Sequence, residues 1–130
     1  MMTQRHSISI HQVQETVAAA FHLNRAELLS RSRRQRVIRA RHVAMYLSRE
    51  LAGFGSDHPC ADANEAWLRF RGVSFPRIGL AFDRDHSSVI HACDAIARRR
   101  QSDAEFASML EALARSVCER AGVYRRPLFA

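Results

Sequence analysis

The side chains best placed for chemistry fall in one run, Arg84-Asp85-His86-Ser87-Ser88, which leads into Val89-Ile90-His91-Ala92-Cys93. Three chemistries suit such groups. Metal binding would use His86, His91 and Cys93. Residues two and five apart on a helix point to different faces, so zinc is not expected. His58-Pro59-Cys60 is a weaker pairing still. Catalysis would need paired carboxylates, a nucleophile beside a base, or a Gly-rich phosphate loop. None is found, so the chain is not expected to be an enzyme, and no cofactor or metal is implied. The third chemistry is hydrogen-bond readout. Asp only accepts, Ser donates and accepts, and neutral His does one of each. Base edges in a DNA groove are distinguished by that same vocabulary.

The element that would present these groups is a helix beginning at Asp85. Asp is a favoured N-cap, because its carboxylate can accept free N–H groups of the first turn. Val89, Cys93 and Ile96 then share one face at helical spacing. The spacing predicts a helix over 86–100 whose first turn is polar and off the apolar stripe. A purely buried helix has no use for that arrangement. The second helix of a helix-turn-helix does, since its N-terminal residues point at bases in the major groove.

Charge points to the same partner. The 130 residues carry a net charge of +7, with 20 basic residues that are all Arg. The absence of Lys excludes a Walker A loop and Schiff-base chemistry; a GC-rich genome would also favour Arg codons. Residues 31–49 contain Arg31, Arg33, Arg34, Arg36, Arg39, Arg41 and Arg49 and no acid, and elsewhere 13 Arg balance 13 acids. One segment therefore holds the whole excess, as expected of a phosphate-binding footprint. A solvated charge run is the plainer alternative. A membrane-surface helix fits less well, because these Arg are not set opposite an apolar face. Three widely spaced Cys (Cys60, Cys93, Cys118) argue against disulfides. With no secretory h-region and no run long enough to span a bilayer, a cytoplasmic, nucleoid-associated protein is expected.

The remaining pattern is all-α, with no strand signal, repeat or low-complexity stretch. Residues 1–7 read as frayed. Ile10, Val13, Val17, Ala20 and Phe21 place a helix at about 9–22. Asn24 and Glu27 form a capping-box pattern before a short helix at about 25–30 carrying Leu28 and Leu29. An Arg-rich loop at about 31–38 follows. The next helix, about 39–52, buries Val43, Ala44, Leu47 and Leu51 and stops at Gly53. Residues 55–72 read as an insert with a helix at about 63–71, started by Asp62 and Glu65 and stopped by Gly72. Ser74 caps a helix with Pro76 in its first turn and Ile78, Ala81 and Phe82 on its apolar face. A last helix, about 104–121, places Phe106, Leu110, Leu113 and Val117 on one face between Asp103 and Gly122, and a tail ends the chain. The expectation is a single domain of about six helices plus the short helical insert.

Residues 8–101 resemble the C-terminal DNA-binding domain of the bacterial replication initiator DnaA, a Trp-repressor-like helix-turn-helix bundle. The resemblance rests on four pieces in order. They are the Arg-rich loop, Val37-Ile38-Arg39-Ala40-Arg41-His42-Val43-Ala44-Met45-Tyr46-Leu47, Ser74-Phe75-Pro76-Arg77-Ile78-Gly79-Leu80-Ala81-Phe82, and Arg84-Asp85-His86-Ser87-Ser88-Val89-Ile90-His91-Ala92. Ser87-Ser88 stands where Thr-Thr is usual, and Ala40 replaces a usual Pro, which should loosen the start of its helix. The insert is not typical, and the preceding nucleotide-binding domain is absent. The resemblance thus implies a stand-alone module that binds DnaA-box-like duplex DNA without ATP hydrolysis.

It also implies roles residue by residue. Asp85, His86 and Ser87 match residues that face major-groove base edges, and Ser88 a position near backbone and bases. Arg33 matches the minor-groove Arg, with Arg34 the alternative register. His42, Arg49, Ser74 and Arg77 match phosphate contacts. Arg36 and Arg84 complete the expected DNA-binding set. Plainer readings stand beside these: Asp85 as a cap as well as a reader, His91 as a packing residue, and Cys93 and Cys118 as small core residues. Trp67 and Phe70 of the insert fit docking on the body better than a partner site. Pro127-Leu128-Phe129 lacks the leading Gln of a clamp-binding peptide. The expected function is sequence-specific duplex DNA binding that regulates replication initiation or transcription. The alternative is an interaction module that binds the initiator or another replication factor.

Overall fold

The structure, a computed structural model, describes residues 7–54, 70 and 72–123. Among them are six helices: α1 (Ile10–Ala20), α2 (Arg25–Leu29), α3 (Gln35–Leu51), α4 (Phe75–Phe82), α5 (His86–Ser102) and α6 (Ala104–Ala121). The fold is all-α, as its patterning requires. Of the anticipated helix at 63–71 only Phe70 is described, and it is not helical; Trp67, Cys60, residues 1–6 and the tail lie outside the described residues.

Several helix ends are written in local chemistry. Asn24 Oδ1 accepts from the Glu27 N–H at 2.8 Å, and Glu27 returns a carboxylate to the Asn24 N–H at 3.2 Å. Ser9 and Gln12 make the same reciprocal box at the start of α1, a signal the sequence reading passed over. Asp103 accepts from the Phe106 N–H at 3.0 Å and starts α6. Gly122 ends α6 in the left-handed region, at φ 70, where glycine carries no Cβ penalty.

The α3 helix is the axis of the fold. Val43, Ala44, Met45, Tyr46, Leu47 and Ser48 are consecutive and all buried. The expected stripe is therefore too narrow: α1, α2, α4, α5 and α6 all pack against this helix. The helix also begins at Gln35, not near residue 39, so the Arg-rich loop shrinks to 31–34. Ala40 lies within this longer helix. It is fully buried inside the helix, and unlike Pro it supplies an N–H and no ring to block the preceding turn. The start of α3 is therefore continuous through Ala40 and not loosened there, contrary to the expectation.

Packing fixes what the periodicity leaves open. Ile8 is buried, and its N–H donates to the Phe54 carbonyl at 2.9 Å while its own carbonyl accepts from Gly53 at 2.8 Å. This clasp ties the entrance of α1 to the exit of α3. Phe70 meets Phe54 edge-to-face at 5.4 Å, which favours docking for that part of the insert. Cys93 and Cys118 are buried, as expected of small core residues, and burial pushes the Cys93 thiol up to about 11.

Candidate nucleic-acid interface

The α4–turn–α5 unit is built by a close approach of backbones. Ser74 Oγ accepts from the Arg77 N–H at 3.3 Å and opens α4. Asp83 closes it in the left-handed conformation, φ 52 and ψ 50. The Arg84 N–H then donates to the Gly79 carbonyl at 2.9 Å. A Cβ on Gly79 would stand 2.6 Å from the Arg84 carbonyl, so only glycine lets the turn fold back this tightly.

The α5 helix divides as its sequence requires. Val89, Ala92, Cys93 and Ile96 are buried. Burying Val89 and Ile96 contributes about 1.5–3 kcal/mol each, which holds the helix to the body. Asp85, His86, Ser87 and Ser88 are all exposed at its first turn. Asp85 occupies the N-cap position without a side-chain capping bond. Its carboxylate accepts the Ser87 hydroxyl instead. That bond, more than its neighbour His86, holds the Asp85 carboxyl below the usual carboxylate range. His86 Nδ1 lies 3.6 Å from Asp85 Oδ1. The turn thus presents an ionised acceptor, an imidazole and two hydroxyls to solvent. His91, expected to pack, is exposed on the next turn.

The Arg segment is not uniformly a surface charge. Arg33, Arg34, Arg36 and Arg39 are exposed, and Arg34 leads into α3. Arg41 is only 7% exposed. It donates to the carbonyls of Leu28 at 3.0 Å, Ser30 at 2.7 Å and Ser32 at 3.4 Å. Burial, with Arg84 and Arg31 nearby, depresses its pKa. Arg31 pairs with Asp83 across the surface at 3.1 Å.

The expected phosphate contacts separate in the same way. Arg77 is exposed. Arg49 donates to the Val73 carbonyl at 2.5 Å and lies over the Phe75 ring at 4.4 Å, which ties α3 to the start of α4. His42 is half-buried, and burial followed by Arg41 lowers its pKa, so it offers a neutral imidazole. Arg84 donates to the carbonyls of Phe82 and Asp83, both at 3.1 Å, and of Ser30 at 2.8 Å. Three expected contacts, Arg49, Arg84 and Ser74, therefore already carry structural bonds. A buried polar strap was not foreseen at all. Gln14 accepts from Arg25 at 2.8 Å and donates to the Ala81 carbonyl at 3.1 Å, which links α1 and α2 to α4. Its only sequence signal is a glutamine next to the Val13 and Val17 stripe. Among the described residues no helix is long and apolar enough to cross a membrane.

Comparison with known proteins gives a consistent result. The family described as bacterial dnaA protein helix-turn-helix matches residues 10–57, from the start of α1 to just past α3. The chromosomal replication initiator protein DnaA of Lactobacillus delbrueckii subsp. bulgaricus is 34% identical over 121 residues, 92% of this chain and 22% of that protein. Its counterpart in Lactiplantibacillus plantarum is 37% identical over 99 residues, 75% of this chain and 18% of that protein. In Methylobacillus flagellatus the figures are 38% over 97 residues, 74% and 17%. The chain spans roughly a fifth of the length of the relatives it matches.

Proposed function

We propose that this chain, a DnaA C-terminal-domain-like protein, binds duplex DNA at DnaA-box-like sites and regulates replication initiation or transcription without hydrolysing ATP. The observation that carries the reading is the split of α5. Its buried stripe fixes the helix, while Asp85, His86, Ser87 and Ser88 stand exposed at its N-terminal turn. Asp85 accepts from cytosine N4, and Ser87 reaches several bases or a thymine methyl. Arg33, or Arg34 in the alternative register, enters an adjoining A·T-rich minor groove, whose narrow walls concentrate negative potential. Arg36, Arg39 and Arg77 meet phosphates and hold the register. A neutral His42 donates one N–H to a phosphate and adds no charge. Arg49, Arg84 and Ser74 support this surface from behind.

A second reading, contact with the initiator or another replication protein, is favoured by Leu80, which is 85% exposed beside the turn. Fluorescence anisotropy separates the two. A labelled box duplex and a scrambled duplex of equal composition are titrated at 150 mM salt. Preference for the box by roughly 10³-fold is the level expected of specific readout. Equal affinity for both duplexes rejects the box reading and leaves the protein-contact reading.

A further inference from the structure

The Arg loop and the recognition turn are far apart in sequence but meet at one atom. The Ser30 carbonyl accepts from Arg41 at 2.7 Å and from Arg84 at 2.8 Å. Ser30 immediately precedes the loop 31–34, and Arg84 immediately precedes Asp85. The Arg84 guanidinium also grips the carbonyls of Phe82 and Asp83, the last two residues before it. Arg41 grips Leu28 and Ser32 on the loop side. Outside this joint, Arg31 pairs with Asp83 at 3.1 Å. Charge-assisted bonds to backbone carbonyls are short and directional. Six of them anchor the two guanidiniums to backbone, three on the loop side and three at Arg84, and the Arg84–Ser30 bond with the Arg31–Asp83 pair joins loop to turn, so the loop cannot slide against the turn without breaking that link.

We infer that Arg84, with Arg41, is a positioning residue that fixes the distance between the Arg loop and the first turn of α5, and so sets the base-pair spacing that the protein accepts between its two DNA contacts. The inference rests on the proposed DNA-binding role of those two surfaces. One base pair advances the duplex by about 3.4 Å and rotates it by roughly a tenth of a turn. A clamped pair of contacts cannot follow such a step. A loosened pair can follow part of it.

The test is an insertion scan with the full chain. Affinities are measured for a box duplex, for duplexes with one base pair inserted at each successive step along it, and for a scrambled duplex. The wild type is expected to lose about tenfold or more for an insertion between the two contacts. Arg84→Met keeps the apolar stem and removes the donors. It should bind the intact box more weakly yet lose less than about threefold on insertion, with Arg84→Lys intermediate. Asp83→Asn tolerates the left-handed backbone and removes the charge facing Arg31. It should lower the insertion penalty about twofold while leaving the melting temperature unchanged; should Arg84→Met fail to fold, Arg84→Lys, which keeps the charge and an N–H donor, decides the matter. An insertion penalty identical to wild type in Arg84→Met, or in Arg84→Lys where Arg84→Met is unfolded, overturns the inference. A wild type that binds box and scrambled duplexes equally overturns instead the box reading on which the inference rests.

Discussion

Replacing Gly79 by Ala tests the helix-turn-helix geometry at its tightest point. The new Cβ would lie 2.6 Å from the Arg84 carbonyl and 3.5 Å from the His86 nitrogen. Ordinary contact needs about 3.4 Å or more, so the turn must retreat by roughly 0.5–0.8 Å. The obstacle is backbone and cannot be relieved by a rotamer change. Overpacking of this kind costs about 2–3 kcal/mol, against a helix-propensity gain of about 1 kcal/mol for Ala over Gly. The net loss is about 1–2 kcal/mol, which for a chain of this size lowers the melting temperature by roughly 3–8 °C. The same retreat displaces Asp85 and His86, so affinity for a box duplex should fall by more than affinity for a scrambled one. Thermal unfolding followed by circular dichroism, with anisotropy on both duplexes, reads both effects. A variant that melts higher than wild type and binds the box unchanged would refute the close approach of Gly79 and Arg84.

Three further outcomes follow from the division of the basic residues. With Arg33, Arg34, Arg36, Arg39 and Arg77 exposed, about five phosphates are neutralised, and log K against log salt should have a slope of roughly −4 to −5. Arg41→Ala should leave that slope within about 0.5. It should cost about 2–4 kcal/mol of stability, because buried carbonyls lose their donor; denaturant titration and salt-dependent binding measure the pair. His42 has a pKa lowered by burial and then by Arg41, from a reference of 6.5. A depressed histidine pKa stabilises the fold fully above the unfolded value. That contribution is lost as pH falls from about 6.5 through the folded pKa, because the unfolded chain takes up the proton first. His42→Gln should flatten the decline in urea-unfolding stability over that window, and an unchanged pH profile would contradict the burial argument.

The sequence carries the fold where local chemistry decides it. Asn24 with Glu27, Asp103, Gly122 and the Ser74-Phe75-Pro76 start all mark helix ends that the structure reproduces. The stripe Val89, Cys93, Ile96 identifies both the helix and the turn left free for readout. Legibility fails where long-range contact decides. Nothing near Arg41 distinguishes it from its exposed neighbours, because its carbonyl partners come from another helix and loop. Gln14 and Thr16 look like exposed helix residues until α4 and α6 close over α1. Residue type alone marks Asp85 as the N-cap, but does not show that its carboxylate also takes the Ser87 hydroxyl two residues on. The run of Arg at 31–39 hides the start of α3, because its charge masks Val37, which is buried within the helix.

Direct base readout by the first turn of α5 can be tested at His86 without disturbing the fold, since His86 is exposed and off the buried stripe. The measurement is competition binding of wild type and His86→Ala against a panel of box duplexes carrying every single-base substitution, with thermal melts alongside. His86→Ala should melt like wild type and bind scrambled DNA nearly as well. At one base-pair position it should lose about 1–3 kcal/mol of discrimination, so that the four bases there become nearly equivalent. A uniform loss across box, panel and scrambled duplexes, with the preference at every position intact, would contradict direct readout by this turn.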